Sequence, residues 1–478
     1  MRRLLLAVAL CAAAVLTAQD SRAAVVSTSG PVRGEILAAA FSGDALVVAR
    51  RPEGRVVGRR REARTLRVEL RRPGQPATVL LNSAIKDTDA EVNLAASPEA
   101  VVVGLHEGDD DTGPSRVWVG LPSGPLREVA ACSRSFLVPA VAVDGPRVAW
   151  ADGGCAGGTG RALEVTPASV AFAGVDPAVP VRRTPVPADQ VAVGVALRGD
   201  AGLVDVLRPT FFAFASDLRA FGPRGLGEVR EREPFGFLLP VGLLPDGTAA
   251  LARATFDDEG FEDRPDERGR PRCSAETVVL APGATTRRPL QIGGCLTEAT
   301  ERGQIGATVA GDRVLSRVQP LVPRRRRSPT PVSITSVRAD DTDLKTIVSG
   351  TFRAPLGLAA DGGRVGWWQR RCAGGEELVV ADGPVPALKA CSLRVLTRRA
   401  GVRAGRISLR VRCPLGCTGR IVDDTQCGPE PLRSFVLAPG TRRLRVRVPR
   451  RSRARGRVLL RVDIDGGPTR RAVVRLRR

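Results

Sequence analysis

Tyrosine is absent from the chain, histidine occurs once, at His106, and only three lysines stand beside 70 arginines. Without tyrosine, a sialidase-type nucleophile is excluded, and His106 is the sole imidazole on offer as a general base. No serine lies in a G-x-S-x-G elbow, so serine-hydrolase chemistry has no support. The ten cysteines include no two-residue spacing, and one histidine cannot complete a zinc ligand set. No apolar run reaches the ~20 residues of a membrane-crossing helix. These absences leave no metal, cofactor or catalytic residue to assign.

What is present begins with MRRLLLAVALCAAAVLTAQDSRA, residues 1–23: two arginines, an apolar run from Leu4 to Ala18, then small residues. This is the pattern of an export signal, with Ser21 and Ala23 placed for a cut before Ala24. Lipid attachment through Cys11 is the alternative, although Leu10 stands where lipoprotein signals want a small residue. Either way the mature protein is expected outside the cytoplasm, secreted or in the cell envelope.

The remaining 455 residues exceed what one ordinary core organises, so a repeat is the first expectation. AAFSGDALVVAR, LAASPEAVVVGL, VAVDGPRVAWAD, VALRGDAGLVDV, LLPDGTAALARA, TVAGDRVLSRVQ and LAADGGRVGWWQ each read as strand, tight turn, strand. Their turn marks, Gly43, Ser97, Gly145, Gly199, Gly247, Gly311 and Gly362, are spaced 54, 48, 54, 48, 64 and 51 residues apart. About 20 residues after each comes a second strand, turn and strand, with apolar marks at Leu66, Val117, Leu163, Phe212, Val278, Ile334 and Leu378. Four strands per ~50 residues, seven times over, predict an all-β chain folded as a seven-bladed β-propeller of four-stranded blades. The Arg198-Gly199-Asp200 copy is the weakest, so six blades with one irregular insert stays open. A string of small sandwiches is the poorer rival, because a sandwich needs about 100 residues.

LLPDGTAALAR, LAADGGRVGWW and ELVVADGPVPAL resemble the repeats of TolB-like (WD40-like) propellers over roughly residues 31 to 391, although the Ser-Pro-Asp-Gly turn is never whole. The resemblance implies a propeller and leaves activity open, because propellers host many functions. The expected domains are the signal at 1–23, a β-propeller at 24–391 and an Arg-rich immunoglobulin-like sandwich at 392–478.

Cysteine positions bear on the propeller. Cys155, Cys273 and Cys372 fall before the third strand of a repeat, and Cys132, Cys295 and Cys391 at the end of a fourth. In an antiparallel meander these places share one face of the disc, so the expected bridges are Cys273 with Cys295, Cys372 with Cys391, and Cys132 with Cys155. Each would contribute roughly 3 kcal/mol in the chain-entropy account, and an exported protein permits them. In RCPLGCTGRIVDDTQC, either Cys413 with Cys417 or Cys417 with Cys427 is expected, leaving one thiol over.

Residues 394–478 hold 24 arginines, no lysine and five acids, which is +19 of the net +23. ISLRVRC, LRVRV, VLLRVDI and VVRLRR alternate strictly, so Leu444, Val446 and Val448 face one way and Arg443, Arg445 and Arg447 the other. Five to seven such strands suggest the sandwich. Its outer face is either solvated arginine from compositional bias, or an anion-binding ladder for an envelope polymer. Nucleic acid is disfavoured, since Phe435 is the only aromatic of this part.

Smaller features read as loops: HEGDDDTG, with Asp109 and Asp111 as poor calcium ligands lacking a late glutamate; the acidic insert at 257–270; and PRRRRS at 323. The reading of function at this level is an exported, monomeric, non-catalytic binding or scaffold protein. Its disc face would take a protein, peptide or glycan, with the basic part on anionic envelope polymer; the alternative is a carbohydrate-active propeller using a carboxylate pair.

Overall fold

The computed structural model describes residues 26–477 apart from 33, 53–55, 58–59, 62–63, 86–89, 109–112, 136, 158–163, 167, 210–213, 256–274, 285, 297–305, 321–329 and 425–430. The leader with Cys11, Asp109 and Asp111, the insert at 257–270, Cys273, the arginine run at 324–327 and Cys427 lie outside the described residues.

The described chain is built of sheets that are antiparallel except where Arg399–Gly401 pairs parallel with Arg470–Arg477, with one short helix, Arg450–Ala454. Up to residue 391 there are seven principal sheets. The first runs Glu35–Ser42, Ala45–Arg51, Arg64–Arg71, Thr78–Ile85 in order from its inner strand outward. The other inner strands are Glu91–Ala96, Ala140–Asp144, Val191–Arg198, Gly236–Leu243, Ala307–Ala310 and Pro355–Asp361. Each inner strand contacts the next, and Pro355–Asp361 returns to Glu35–Ser42, so the succession closes on itself. The last sheet takes its fourth strand from the start of the chain: Val26–Val32 pairs antiparallel with Glu376–Ala381.

Alternation explains why the sheets stand side by side. In Ala45–Arg51, Leu46 and Val48 pack toward the seventh sheet, while Ala45, Val47 and Ala49 pack toward the second. Val148 and Trp150 likewise face the second sheet, and Ala149 and Ala151 the fourth. Trp367 and Trp368, adjacent in sequence, fill the gaps on opposite sides of the seventh sheet. A strand covered on both faces reads as an unbroken apolar run rather than an alternating one. Every one of the seven gaps between sheets holds its own apolar cluster.

The turns follow from local chemistry. Gly43, Gly145, Gly199, Gly247, Gly311 and Gly362 all take positive φ, between 56° and 83°, in the hairpin joining the inner strand to the second. Glycine enters this region without the Cβ clash that penalises other residues. In the second sheet Ser97 replaces it, its hydroxyl accepting from the Glu99 and Ala100 amides. Two repeat units are arranged differently from their sequence reading. In the third sheet the third strand is Ser169–Gly174, and residues 164–166 pair instead with 155–157 in a separate hairpin. In the fourth, Phe214–Gly222 runs through Ser216 and Asp217 without turning.

Residues 394–477 form two sheets over one core. Three strands, Arg394–Val395, Arg406–Cys413 and Gly440–Arg447, face five: Arg399–Gly401, Arg470–Arg477, Arg457–Ile464, Cys417–Asp423 and Pro431–Leu437. Ile407, Leu409, Val411, Leu444 and Val446 from one sheet meet Ile421, Val458, Leu460, Val462 and Val474 from the other. The same core includes Cys372 and Cys391, so the sandwich is built onto the end of the seventh sheet. There Thr418 Oγ1 donates to the Cys372 carbonyl at 3.3 Å and Cys391 N–H to the Gly466 carbonyl at 2.8 Å.

Candidate functional site

The seven inner strands surround an axial channel of about 640 Å³, within the range of small-ligand and cofactor sites. Each inner strand is the last of its sheet, so its channel-facing edge carries backbone groups with no strand partner. The side chains of the wall are mostly apolar, Ala40, Leu94, Ala142, Val193, Val241, Val309 and Ala360 among them, with Asn93 and Thr308 among the few polar ones, yet exposed main-chain groups make the surface itself slightly more polar than apolar. Asp144, Arg198 and Asp361 are the charged residues among the channel's lining, and all three stand at the hairpin-turn mouth. Backbone bulges where the inner strand meets the second, at Leu37, Val193, Val241 and Leu356, recur in four sheets and bend the strand locally.

A belt of hydrogen bonds ties the turns at that mouth. Arg364 Nη2 donates to the Gly43 carbonyl at 2.7 Å, Ser42 Oγ to the Ser97 carbonyl at 2.7 Å, and Ser97 Oγ to the Gly145 carbonyl at 2.6 Å. Gly199 N–H donates to Asp144 Oδ2 at 2.5 Å, and Arg198 reaches the Leu243 carbonyl at 3.4 Å. Arg198, Gly199 and Asp200 thus fill a hairpin turn, with Asp200 2.8 Å from Arg147 of the preceding sheet.

Buried polar groups join neighbouring sheets away from the mouth. Glu376 of the seventh sheet accepts from Ile36 N–H of the first at 2.7 Å. Asp205 and Ser216, both fully buried in the fourth sheet, accept from Leu238 N–H of the fifth at 3.3 and 3.2 Å, and Ser216 Oγ donates to Asp205. Burial pushes the Asp205 carboxyl up to about 7, against the pull of those donors. Sequence reasoning missed this pair. The signal was a single aspartate, Asp205, inside the apolar run of Ala201–Pro209, while Ser216 on the next strand imitates a turn together with Asp217.

His106 is buried, with Nε2 3.0 Å from the Ser135 carbonyl. It does not line the channel. Cys132 is joined to Cys155, Cys372 to Cys391, and Cys413 to Cys417. Cys295 is also disulfide-bonded. A second cleft, about 430 Å³, lies beside the Cys132–Cys155 bridge between the second and third sheets. Arg183 there pairs with Asp152 at 2.6 Å and stacks over Trp150 at 5.6 Å. Arg443, Arg445 and Arg447 are exposed on the sandwich, and Leu444, Val446 and Val448 buried. Among the described residues no cluster of three or more His, Cys, Asp or Glu stands ready for a metal, and no helix is long and apolar enough to cross a membrane.

No family model and no curated protein matches the chain. Solved structures do. The β-propeller domain of the Trilobed protease from Pyrococcus furiosus, described as revealing an open velcro topology, matches with TM-score 0.45 and 9% identity over 74% of this chain and 96% of that one. Pyrococcus horikoshii acylaminoacyl peptidase matches with TM-score 0.46 and 10% identity over 80% of this chain and 58% of that one. A Mycobacterium tuberculosis puromycin-hydrolyzing peptidase matches with TM-score 0.44 and 12% identity, over 80% and 59%. The chain therefore spans nearly all of the protease's propeller domain and just over half of the two whole peptidases.

These neighbours correct two expectations, that the protein is a non-catalytic binding or scaffold protein and that it is not an enzyme. The matched proteins are peptidases or a protease's propeller. The scaffold reading rested only on motifs missing from this sequence.

Proposed function

We propose that this protein is a peptidase-related propeller whose axial channel receives a peptide in extended conformation. The observation that carries the reading is the channel itself. Seven strand edges with unpartnered backbone groups converge on a bore lined by small apolar side chains and exposed main chain, whose charges are confined to one mouth. An extended peptide hydrogen-bonds to such edges through its own main chain, while shallow apolar contacts hold its side chains without strong sequence choice. The peptidase names of the structural neighbours agree with that substrate class.

The finer architecture belongs to the same proposal. The ring is read as seven blades closed by the Val26–Val32 strand, with TolB-like turn glycines, and residues 392–478 as an immunoglobulin-like sandwich. The leader pattern at 1–23, together with the disulfides, supports export to the cell envelope or beyond.

The test uses the full chain, a library of fluorescent oligopeptides, and the variant Ala40→Trp/Thr308→Trp, which narrows the bore at two half-buried wall positions. Saturable peptide binding, lost in the variant at unchanged circular dichroism, is expected, and peptide cleavage is scored in the same samples. Absence of binding and cleavage across the library would overturn the reading, as would binding indifferent to the variant.

A further inference from the structure

The outer face of the three-stranded sheet in the sandwich carries seven arginines, six in two facing rows on Arg406–Cys413 and Gly440–Arg447 and one, Arg394, on the strand behind. Arg406 stands opposite Arg447, Ser408 opposite Arg445, Arg410 opposite Arg443, and Arg412 opposite Arg394. All seven arginines are exposed, because their neighbours Ile407, Leu409, Val411, Leu444 and Val446 are drawn inward. Like charges directly across a strand pair destabilise the sheet. No carboxylate lies within ion-pairing distance of any of them among the described residues.

The second sheet of the same sandwich is the internal control. Its outward Arg420 and Arg461 share Asp463, both at 3.3 Å, and Arg471 meets Asp424 at 2.9 Å. A compositional bias toward arginine acts on both sheets alike. The five-stranded sheet still has Arg399, Arg475 and Arg457 abreast without a carboxylate, but it carries Asp423 and Asp463 in its strands, whereas the three-stranded sheet carries no acid.

We propose that this face binds a linear phosphodiester polymer that lacks stacking bases. Alternate residues of a strand repeat every ~6.7 Å and neighbouring strands lie ~4.8 Å apart. A chain of phosphates laid along the groove between Arg406–Cys413 and Gly440–Arg447 therefore meets a guanidinium at every step, and one from each side at Arg406/Arg447 and Arg410/Arg443. The planar fork of arginine donates two hydrogen bonds to one phosphate, which a lysine's point charge does not do. The face has no aromatic side chain for base stacking, and Phe435, the only aromatic of this part, is buried in the core.

The experiment titrates full-length protein with poly(glycerol phosphate), heparin and single-stranded DNA at stepped salt. Four phosphates, one at each step of the groove, at about −0.7 each predict a log–log salt slope near −3 for poly(glycerol phosphate). Arg443→Ser/Arg445→Ser/Arg447→Ser leaves three steps with an arginine and should weaken binding by about tenfold or more at low salt and bring the slope near −2. Arg420→Ser/Arg461→Ser/Arg471→Ser removes the same charge from the other sheet and should change affinity by no more than about twofold. Equal losses in the two variants would show bulk charge alone and overturn the proposal. So would failure to bind poly(glycerol phosphate) at low salt, preference for heparin, or tighter, base-dependent binding of DNA.

Discussion

The ring and the sandwich are built from the same alternating strands, yet they treat arginine in opposite ways. Up to residue 393, leaving the leader aside, 46 basic residues face 44 acidic ones. There buried carboxylates gather the guanidinium groups: Glu69 takes Arg50 and Arg71 at 2.8 Å, and Glu233 takes Arg253 and Arg287 at 2.7 Å. Burial alone would raise the Glu69 carboxyl, but the donations from Arg50 and Arg71 reverse it and hold it below its ordinary value. In the sandwich a whole sheet face has no such partner. The lesson is that arginine packs between the sheets of the ring when a carboxylate shares the burial, whereas the face proposed to bind an anionic polymer offers it none.

The comparison breaks most visibly where apolar packing alone holds the ring. Trp150 is fully buried between the second and third sheets beneath Arg183. Trp150→Ala should cost about 3–5 kcal/mol, read as a lowered denaturation midpoint with unchanged steepness. A shift no larger than that of an exposed substitution would mean that the gap between sheets is not a true core.

Next in size is the joint between the two regions. The Cys372–Cys391 bridge, 19 residues apart, sits inside the sandwich core while belonging to the seventh sheet. Cys372→Ser/Cys391→Ser should lower stability by about 3 kcal/mol. Calorimetry should then separate a sandwich transition from that of the ring. Retention of a single unshifted transition would show that the two regions are coupled without the bridge.

The last expected effect is a slope rather than a fixed loss, a pH dependence that arises in the ring. The folded-state value of Asp205, about 7, lies above its ordinary 3.8, so the carboxyl is favoured in its protonated form by folding. Its contribution is complete below about pH 4 and is lost as pH rises toward 7. Asp205→Asn should flatten stability against pH over that window, whatever constant offset the amide introduces. A slope identical to the wild type would assign the dependence to other groups.

Much of this was legible in residues that must obey local rules. The turn glycines at 43, 145, 199, 247, 311 and 362 announced hairpins because positive φ leaves few alternatives, and each lies at the same mouth of the ring. Strict alternation in residues 406–413 and 443–448 likewise separated core from surface. What stayed hidden depends on partners distant in sequence. Nothing in VSTSGPV names residues 376–381, some 350 positions away, as its neighbours. Ser216 and Asp217 looked like a turn because their satisfaction comes from tertiary contacts: Ser216 from Asp205 and Leu238, and Asp217 from Arg208 at 3.3 Å. The channel was beyond reach for the same reason, since its wall is a property of the ring and belongs to no single repeat.

The account stands on the first and seventh sheets meeting to close the ring, as Arg364 reaching Gly43 and Asp44 across some 320 residues requires. Spin labels at Asp44 and Arg364, read by dipolar spectroscopy on the full chain, test this directly. A single short distance, like that between labels on adjacent strands, is the predicted result; a long and broad distribution would contradict it.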